Sequence, residues 1–440
     1  MEPGGPLFNL KAVVQQTGLK PDTLRAWERR YGLPTPERSS GGHRLYSQQD
    51  IDTIKWLVAR QHEGLSISRA VELWKQFRTE GRDPLLAAPP IATQAGPALL
   101  SHPEGETIAQ MRQQWIRACL AYEEPQAEQI LNQAFALYSP ETVAIELLQR
   151  AVAEIGEGWY AGDITVQQEH FCSSLTVRRL EALVMTSPPP LRPGRILAAC
   201  PPGEQHIVGL LLLTFLLRRQ GWEVVYLGAN VPVEQLETTI AVIQPQLVIM
   251  AAQQLHTAAA LMEAAQAVQH ARVPLAYGGL IFNLLPTLCE RIPGHFLGEQ
   301  LEAAPQRVGT LMGAPRPVPT PQTIPAEYFR ALEHFQERQA VVEASVIQAL
   351  SDKGYAGNHL ALANQELGMN IGAALALGDM DFLGTDIEWM AGLLKNLSLP
   401  VEELYNYLHA YSQAVGEHLD ESGEPISTWL GKLLRGYVLN

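Results

Sequence analysis

The spacing of apolar residues changes character several times along the chain, and each change predicts a boundary. Residues 7–77 carry short helical patterns around a glycine turn, whereas Asp83 to Pro103 is rich in Pro, Ala and Gly with little periodicity, which predicts a linker. From Thr107 to about Thr186 apolar side chains recur at helical spacing: Ile108, Met111, Trp115, Ile116, Cys119 and Leu120, then Ile130, Leu131, Ala134 and Phe135. A bundle of about four helices is expected there, ended by Ser187-Pro188-Pro189-Pro190. Residues 194–312 alternate instead between short apolar runs and helical segments. The runs Arg195–Cys200, Glu223–Leu227, Leu247–Ala251, Val273–Tyr277 and His295–Leu297 predict strands of a parallel, doubly wound sheet. A second Pro-rich linker, Ala314 to Pro325, precedes amphipathic segments such as Tyr328-Phe329, Leu332, Phe335, Val341-Val342, Val346-Ile347 and Leu350. An independent all-α domain of about five helices is expected to follow.

The chain thus divides into residues 1–80, a linker 81–106, a helical bundle 107–187, an α/β domain 188–312, a linker 313–326 and an all-α domain 327–440. Its fold class is multidomain α and α/β. The 440 residues are ample for several cores, and no apolar run approaches the roughly 20 residues that span a bilayer. Met1 to Leu10 has no basic-then-apolar leader, and Cys119, Cys172, Cys200 and Cys289 lack metal-ligand spacing, so reduced thiols in a cytoplasmic protein are expected. A net charge of −14 excludes a general nucleic-acid binder, yet residues 1–80 carry more Lys and Arg than Asp and Glu, while 325–440 are strongly acidic. One basic module within an acidic protein follows.

Glu204-Gln205-His206-Ile207-Val208-Gly209 lies directly after the first strand candidate and opens a long apolar helix. A neutral imidazole can ligate a metal, a carboxylate can take its other N–H and fix the tautomer, and a glycine admits close approach to backbone. The run resembles the Asp/Glu-x-His-x-x-Gly motif of cobalamin-binding domains. That resemblance makes His206 the lower axial ligand to cobalt, supported by Glu204 and Gly209. It also seats the nucleotide tail among Gly228, Gly278 and Gly279, beyond the carboxyl ends of the strands, where missing Cβ atoms make room. Relatives usually carry a serine after the third strand; here the run is Met250-Ala251-Ala252-Gln253, so tail contacts differ, with Gln253 as the candidate.

Near the N-terminus, Val13 to Leu19 and Pro21 to Glu28 have the form helix, glycine turn, helix, with Asp22 as the candidate N-cap; Arg29 to Leu33 and Gly41 to Tyr46 look like a wing. This run resembles the DNA-binding domain of MerR-family regulators, a winged helix-turn-helix. By that resemblance Thr23 and Arg25 face the major groove, Arg44 and Tyr46 hold phosphates from the wing, and Arg29, Tyr31 and His43 add to the DNA-binding set. Leu24 and Trp27 are assigned to the core. MerR-type domains act as dimers on paired half-sites.

In the bundle, Trp159 is followed ten residues later by Glu169-His170. Trp-x9-Glu-His resembles the signature of CarH/LitR-type light-sensing repressors, which join a MerR domain, a bundle and a cobalamin domain in this order. The resemblance covers residues 7 to about 312. It implies that Trp159 and Glu169 cap the 5′-deoxyadenosyl group of adenosylcobalamin, with His170 shaping the same pocket or bridging to a neighbouring subunit. Tyr160 stands where relatives have a histidine able to ligate cobalt after photolysis, so the photoproduct is expected to be water-ligated or to use another group.

The short repressors have no counterpart to residues 327–440. This tail loosely resembles the biliverdin-binding helical domain of multi-centre photoreceptors, with His334, His359, His409, His418, Arg330, Tyr405, Tyr407 and Trp389 as candidate lining; a plain oligomerisation or partner domain is the alternative.

The expectation is therefore a non-enzymatic transcription regulator with adenosylcobalamin as its cofactor. It would bind operator DNA as a light-dependent homo-oligomer, dimer or tetramer, with no membrane partner. A dual cobalamin/biliverdin photoreceptor and a light-insensitive cobalamin sensor are the alternatives. A cobalamin-dependent enzyme would need a substrate domain over the upper face, for which the chain has no length.

Overall fold

The computed structural model describes residues 8–17, 19, 21–38, 44–62, 67–79, 107–314, 317–351, 357–384, 387, 390–392 and 401–438. The chain forms two compact units, residues 1–107 with 131–143, and residues 108–130 with 144–440.

The first unit begins with β1 (Phe8–Asn9), α1 (Leu10–Thr17) and α2 (Pro21–Tyr31), then β2 (Glu37–Arg38), β3 (Arg44–Tyr46), α3 (Gln48–His62) and α4 (Ile67–Thr79). β3 lies between β1 and β2, antiparallel to both, with Phe8 opposite Tyr46 and Glu37 opposite Leu45. Val13, Leu24, Trp27, Ile51, Ile54, Leu57, Val71 and Trp74 close the core beneath this ribbon. The periodicity of these residues is what makes each short helix amphipathic, and a single helix of this length would not persist without that burial. Asp50, itself buried, takes the backbone N–H groups of Thr35 and Ser47 at 3.0 Å each and so fastens the wing to the start of α3. α2 begins at Pro21, one position ahead of the expected cap at Asp22; proline suits a first helical position because its missing N–H would have no partner there.

The next helices along the chain are α5 (Ile108–Leu120) of the second unit, α6 (Glu124–Leu137), which is divided between the units at residue 131, and the one-turn α7 (Pro140–Thr142) of the first unit. α8 (Arg150–Tyr160) and α9 (Val166–Met185) of the second unit follow, with a π-helical stretch, Val143–Gln149, leading into α8. Arg112 ties α5 to this pair of elements, donating to Glu154 at 2.6 Å and to the Glu146 carbonyl at 2.7 Å. α9 lies across the α/β domain on α10 (Val208–Arg219).

The parallel sheet consists of β4 (Arg195–Ala199), β5 (Glu223–Gly228), β6 (Leu247–Ala251), β7 (Leu275–Gly278) and β8 (His295–Phe296), in the order β5-β4-β6-β7-β8. Its central strands are buried on both faces, which is why they read as continuous apolar runs. The reversal of strand order at β4, which has β5 on one side and β6 on the other, leaves a crevice at the carboxyl ends, the place where such sheets bind ligands. Besides α10, the sheet is flanked by α11 (Leu236–Ile243), α12 (Leu255–His270), the short α13 (Leu280–Leu284) after β7, and α14 (Ala304–Gly313).

The tail contains α15 (Ala326–Ser351), α16 (Gly357–Leu377), α17 (Val401–His418) and α18 (Glu424–Val438). α15 buries Ala331, Phe335, Val342, Val346 and Leu350 on one stripe. The tail is not independent of the α/β domain, contrary to expectation. α16 packs along α12, and one continuous core runs from Leu197 and Val248 of the sheet through Leu255, Leu261 and Val268 to Leu367, Ile371 and Leu375. Ala258, Ala264 and Ala265 of α12 are buried in this shared core.

Candidate functional site

Backbone geometry after β4 builds the site. Gly203 (φ 82°) turns the chain back, and its N–H donates to the Asn230 side chain at 2.8 Å; Asn230 (φ 51°) in turn donates its own N–H to the Glu204 carbonyl at 3.0 Å. The loops after β4 and β5 are thereby locked together, and Glu204 is driven into the interior with no exposed surface.

Its carboxylate is fully engaged there. One oxygen accepts from the His206 N–H and from His206 Nδ1, both at 2.8 Å; the other accepts from the Gln253 N–H and from the Thr257 hydroxyl, both at 2.7 Å. Burial pushes the Glu204 carboxyl up, but the bonds from the His206 side chain, the His206 and Gln253 backbone and Thr257 outweigh it and hold the group below the ordinary carboxylate range. The hydrogen bond to Glu204 raises the His206 imidazole, against its own desolvation. With Nδ1 committed to the carboxylate, Nε2 is the nitrogen left for a metal, on a side chain that is 62% exposed. Among the described residues no group of three or more His, Cys, Asp or Glu could hold a metal unaided, so a cobalt at His206 would bring its remaining ligands in its own macrocycle. The donor set therefore fits a corrinoid.

The glycines divide into two kinds. A Cβ at Gly278 would meet nothing within 4 Å, and Gly228 (φ 87°) has only the Tyr226 ring edge at 4.0 Å, so both leave open space at the strand ends. Gly209 meets the Leu301 side chain at 3.8 Å, an ordinary contact. Gly279 differs: at φ 127° a Cβ there would run into the Ala252 carbonyl, with the carbonyl carbon at 2.7 Å. Its bareness is required by the close passage of two loops of this chain. Gln253 spans the same loops, its side-chain oxygen accepting the Leu280 N–H at 2.8 Å.

Above this crevice the cap is built on a tight turn. Asp163 and Ile164 donate to the Gly158 carbonyl at 2.9 and 3.1 Å, and Gly162 to the Trp159 carbonyl at 3.0 Å. Ile164 lies over Gly158, where a Cβ would come within 2.5 Å of its terminal carbon. Thr165 and Gln168 form a reciprocal capping box at the start of α9, and Gln168 also donates to the Leu120 carbonyl at 2.9 Å. Trp159 thus sits half-buried at the end of α8, with Glu169 in the first turn of α9. Ser173 and His170 Nδ1 both approach the Glu169 carboxylate at 2.6 Å, and His170 points outward, 75% exposed. The charge of Glu169 also raises the His206 imidazole, as the smallest of the contributions.

Two features were missed from sequence. Thr257, three residues past Gln254 on α12, supplies a hydroxyl to Glu204; its spacing signals only a helix start. Leu227, Leu280 and Leu284 stand exposed around the carboxyl edge, an apolar rim that single leucines next to loops do not announce.

On the helix-turn-helix, Arg25 and Arg29 are exposed on α2 and Thr23 and Tyr31 half-buried, with Arg30 over the Tyr31 ring at 5.6 Å. Arg44 is paired with Glu28 at 2.7 Å, which also raises its pKa. Tyr46 corrects an expectation: it is 1% exposed, its ring filling the core opposite Phe8, so it does not reach a phosphate. His43 lies outside the described residues.

Most of the described bilin candidates have local partners. His334 pairs with Asp420 at 3.4 Å, His418 Nε2 lies 2.7 Å from the Ser345 hydroxyl, His409 is exposed beside the Tyr405 ring, and the Tyr407 hydroxyl donates to buried Asn364 at 2.9 Å. Trp389 and the His359 side chain lie outside the described residues. A cleft of about 570 Å³ in the tail includes Arg330 from that set and Lys432, among the carboxylates of Glu327, Asp379, Asp381, Glu421 and Glu424.

The helix-turn-helix with its wing and the switch-point histidine match known families. Residues 8–76 match the MerR HTH family regulatory proteins, and residues 194–307 and 111–183 match two B12 binding domain families. These define a MerR-type, cobalamin-binding transcription regulator. The chain is 30% identical over 297 residues to the HTH-type transcriptional repressor CarH of Myxococcus xanthus, covering 67% of this chain and 96% of that protein. It is 33% identical over 247 residues to the repressor CarA of the same organism, covering 55% of this chain and 75% of that one. The chain belongs to the CarH/CarA family of DNA-binding regulators and is not an enzyme. The monomethylamine corrinoid protein of Methanosarcina barkeri aligns with a TM-score of 0.41 at 17% identity, over 46% of this chain and 97% of that one. No described helix is long and apolar enough to cross a membrane.

Proposed function

We propose that this regulator uses adenosylcobalamin as a light sensor and converts loss of the upper ligand into a change of oligomer and of operator binding. The observation that carries this reading is the His206 imidazole, its Nδ1 held by a fully buried Glu204 so that Nε2 is left for a metal. Adenosylcobalamin supplies a cobalt–carbon bond that visible light cleaves. His206 would hold the cobalt through Nε2, and Trp159 and Glu169 would contact the adenosyl group by stacking and by accepting hydrogen bonds, with His170, exposed beside Glu169, extending that rim. Loss of the adenosyl group would remove contacts that α8 and α9 make only in the dark state and so would free the cap to shift relative to the sheet. Each 1.4 kcal/mol of such state-specific contact changes the balance of states about tenfold, so a few contacts suffice. Thr23, Arg25 and Arg29 on α2 read and grip operator DNA; Arg44 contributes once it shares or leaves Glu28.

The test uses protein saturated with adenosylcobalamin in the dark, followed by absorbance and size-exclusion elution before and after green light. Spectral conversion with a smaller particle supports the reading. Conversion at constant size and constant operator affinity leaves a cobalamin-concentration sensor, the light-insensitive alternative.

A further inference from the structure

Among the described residues, the tail meets the cap at Gly392. Ile387 belongs to the core shared with the sheet, and Met390 and Ala391 pack against it. The next residue, Gly392, meets the ring of Tyr160: a Cβ there would fall far inside contact distance of the phenolic oxygen, with Cζ at 3.0 Å and Cε2 at 3.8 Å. Tyr160 is the last residue of α8 and the neighbour of Trp159. Successive side chains on a helix diverge by about 100°, so two adjacent aromatics at one helix end serve different surfaces. The tail itself has a fixed reference, because α16 is packed along α12 in the same core that holds the strands behind His206.

We propose that Tyr160 is a positioning residue for the cap, seated on Gly392, through which the C-terminal domain sets how strongly the protein prefers cobalamins with a bulky upper group. This rests on the reading of Trp159 and Glu169 given above. The end of α8 is clasped from the sequence side by the Trp159–Thr165 turn and from the tail side by Gly392. A side chain at 392 would push the phenol away, and Trp159 with it. The coupling is reciprocal: any partner that displaces residues 390–392 lowers affinity for the adenosyl form by the same factor that the adenosyl form lowers affinity for the partner.

The full chain is titrated in the dark with adenosylcobalamin and with hydroxocobalamin, comparing the parent, Gly392→Ala, Tyr160→Ala and the double variant Tyr160→Phe with Gly392→Ala. Gly392→Ala should weaken adenosylcobalamin about tenfold, and hydroxocobalamin less than about twofold. The double variant, which loses the clashing oxygen, should return to within about threefold of the parent. Tyr160→Ala cannot overpack and should give the same selective loss. A Tyr160→Ala protein that keeps the parent's preference, or loses both ligands equally, overturns the proposal whatever the fate of Gly392→Ala. A parent that binds neither cobalamin overturns the reading of the site itself, and this proposal with it.

Discussion

Replacing Thr257 with valine keeps the shape of a side chain with no exposed surface and removes a single hydroxyl. That hydroxyl has one proton and two acceptors, the Glu204 carboxylate at 2.7 Å and the Gln254 carbonyl at 3.0 Å. The shorter contact is to a buried charge, and a hydrogen bond to a charged group contributes about 1.5–3 kcal/mol. Loss of about 2 kcal/mol in stability is therefore expected, measured by denaturant unfolding of the cobalamin-free protein. The same change should weaken lower ligation, since partners standing behind a metal ligand are worth about 10–100-fold in affinity. An absorbance titration with a cobalamin reads this directly, because the spectrum reports whether an imidazole is on cobalt. Thr257→Ser, which keeps the hydroxyl, should retain ligation. If Thr257→Val matches the parent within about 0.5 kcal/mol and in its ligation spectrum, the relay from α12 through Glu204 to His206 is refuted.

Gly279→Ala should destabilise the α/β domain by more than about 3 kcal/mol, since it combines a left-handed φ with collision against the Ala252 carbonyl; thermal melting checks it, and a neutral result would show that the loop relaxes. Arg25→Ala should weaken operator binding by about 1–3 kcal/mol in a gel-shift titration, whereas Tyr46→Ala should act through unfolding, because its ring lies in the core. The Glu204–His206 pair should be most stabilising between the ordinary values of its members, 4.5 and 6.5. The Glu204 pKa is lowered, so its contribution is present above 4.5 and lost as pH falls through the folded value. The His206 pKa is raised, so its contribution is present below 6.5 and lost as pH rises through the folded value. Unfolding free energy of the cobalamin-free protein measured across pH should show this maximum, and Glu204→Gln should flatten it.

Much of the architecture was legible because its causes are local. The five strand candidates agree with the sheet to within a few residues, and the largest discrepancy has a local reason: β7 starts at Leu275 because Pro274, with no N–H, contributes only its carbonyl, to Val248. The pairing of an acid with His206 was legible too, since both stand on one loop two residues apart. Effects that depend on tertiary meetings were not. Thr257 reaches Glu204 from 53 positions away. That Gly279 must be bare to pass Ala252 shows only in three dimensions, and Tyr46 reads as a surface contact until its ring is seen opposite Phe8. The π-helical Val143–Gln149 also left no trace, because its apolar spacing is that of an ordinary helix.

The sandwiching of α12 between the sheet and α16 has a consequence for how the molecule is made. During synthesis the sheet and its helices are complete once residue 313 has left the ribosome, yet the outer side of α12 keeps waiting for α16, whose last residue is 377. Until then a helix rich in alanine, with Leu261 and Met262, shows its bare flank to water, and the half-made chain is at its stickiest. The C-terminal region is then the molecule's closing stitch, and a nonsense codon anywhere in α16 should leave a product that aggregates instead of a shorter regulator.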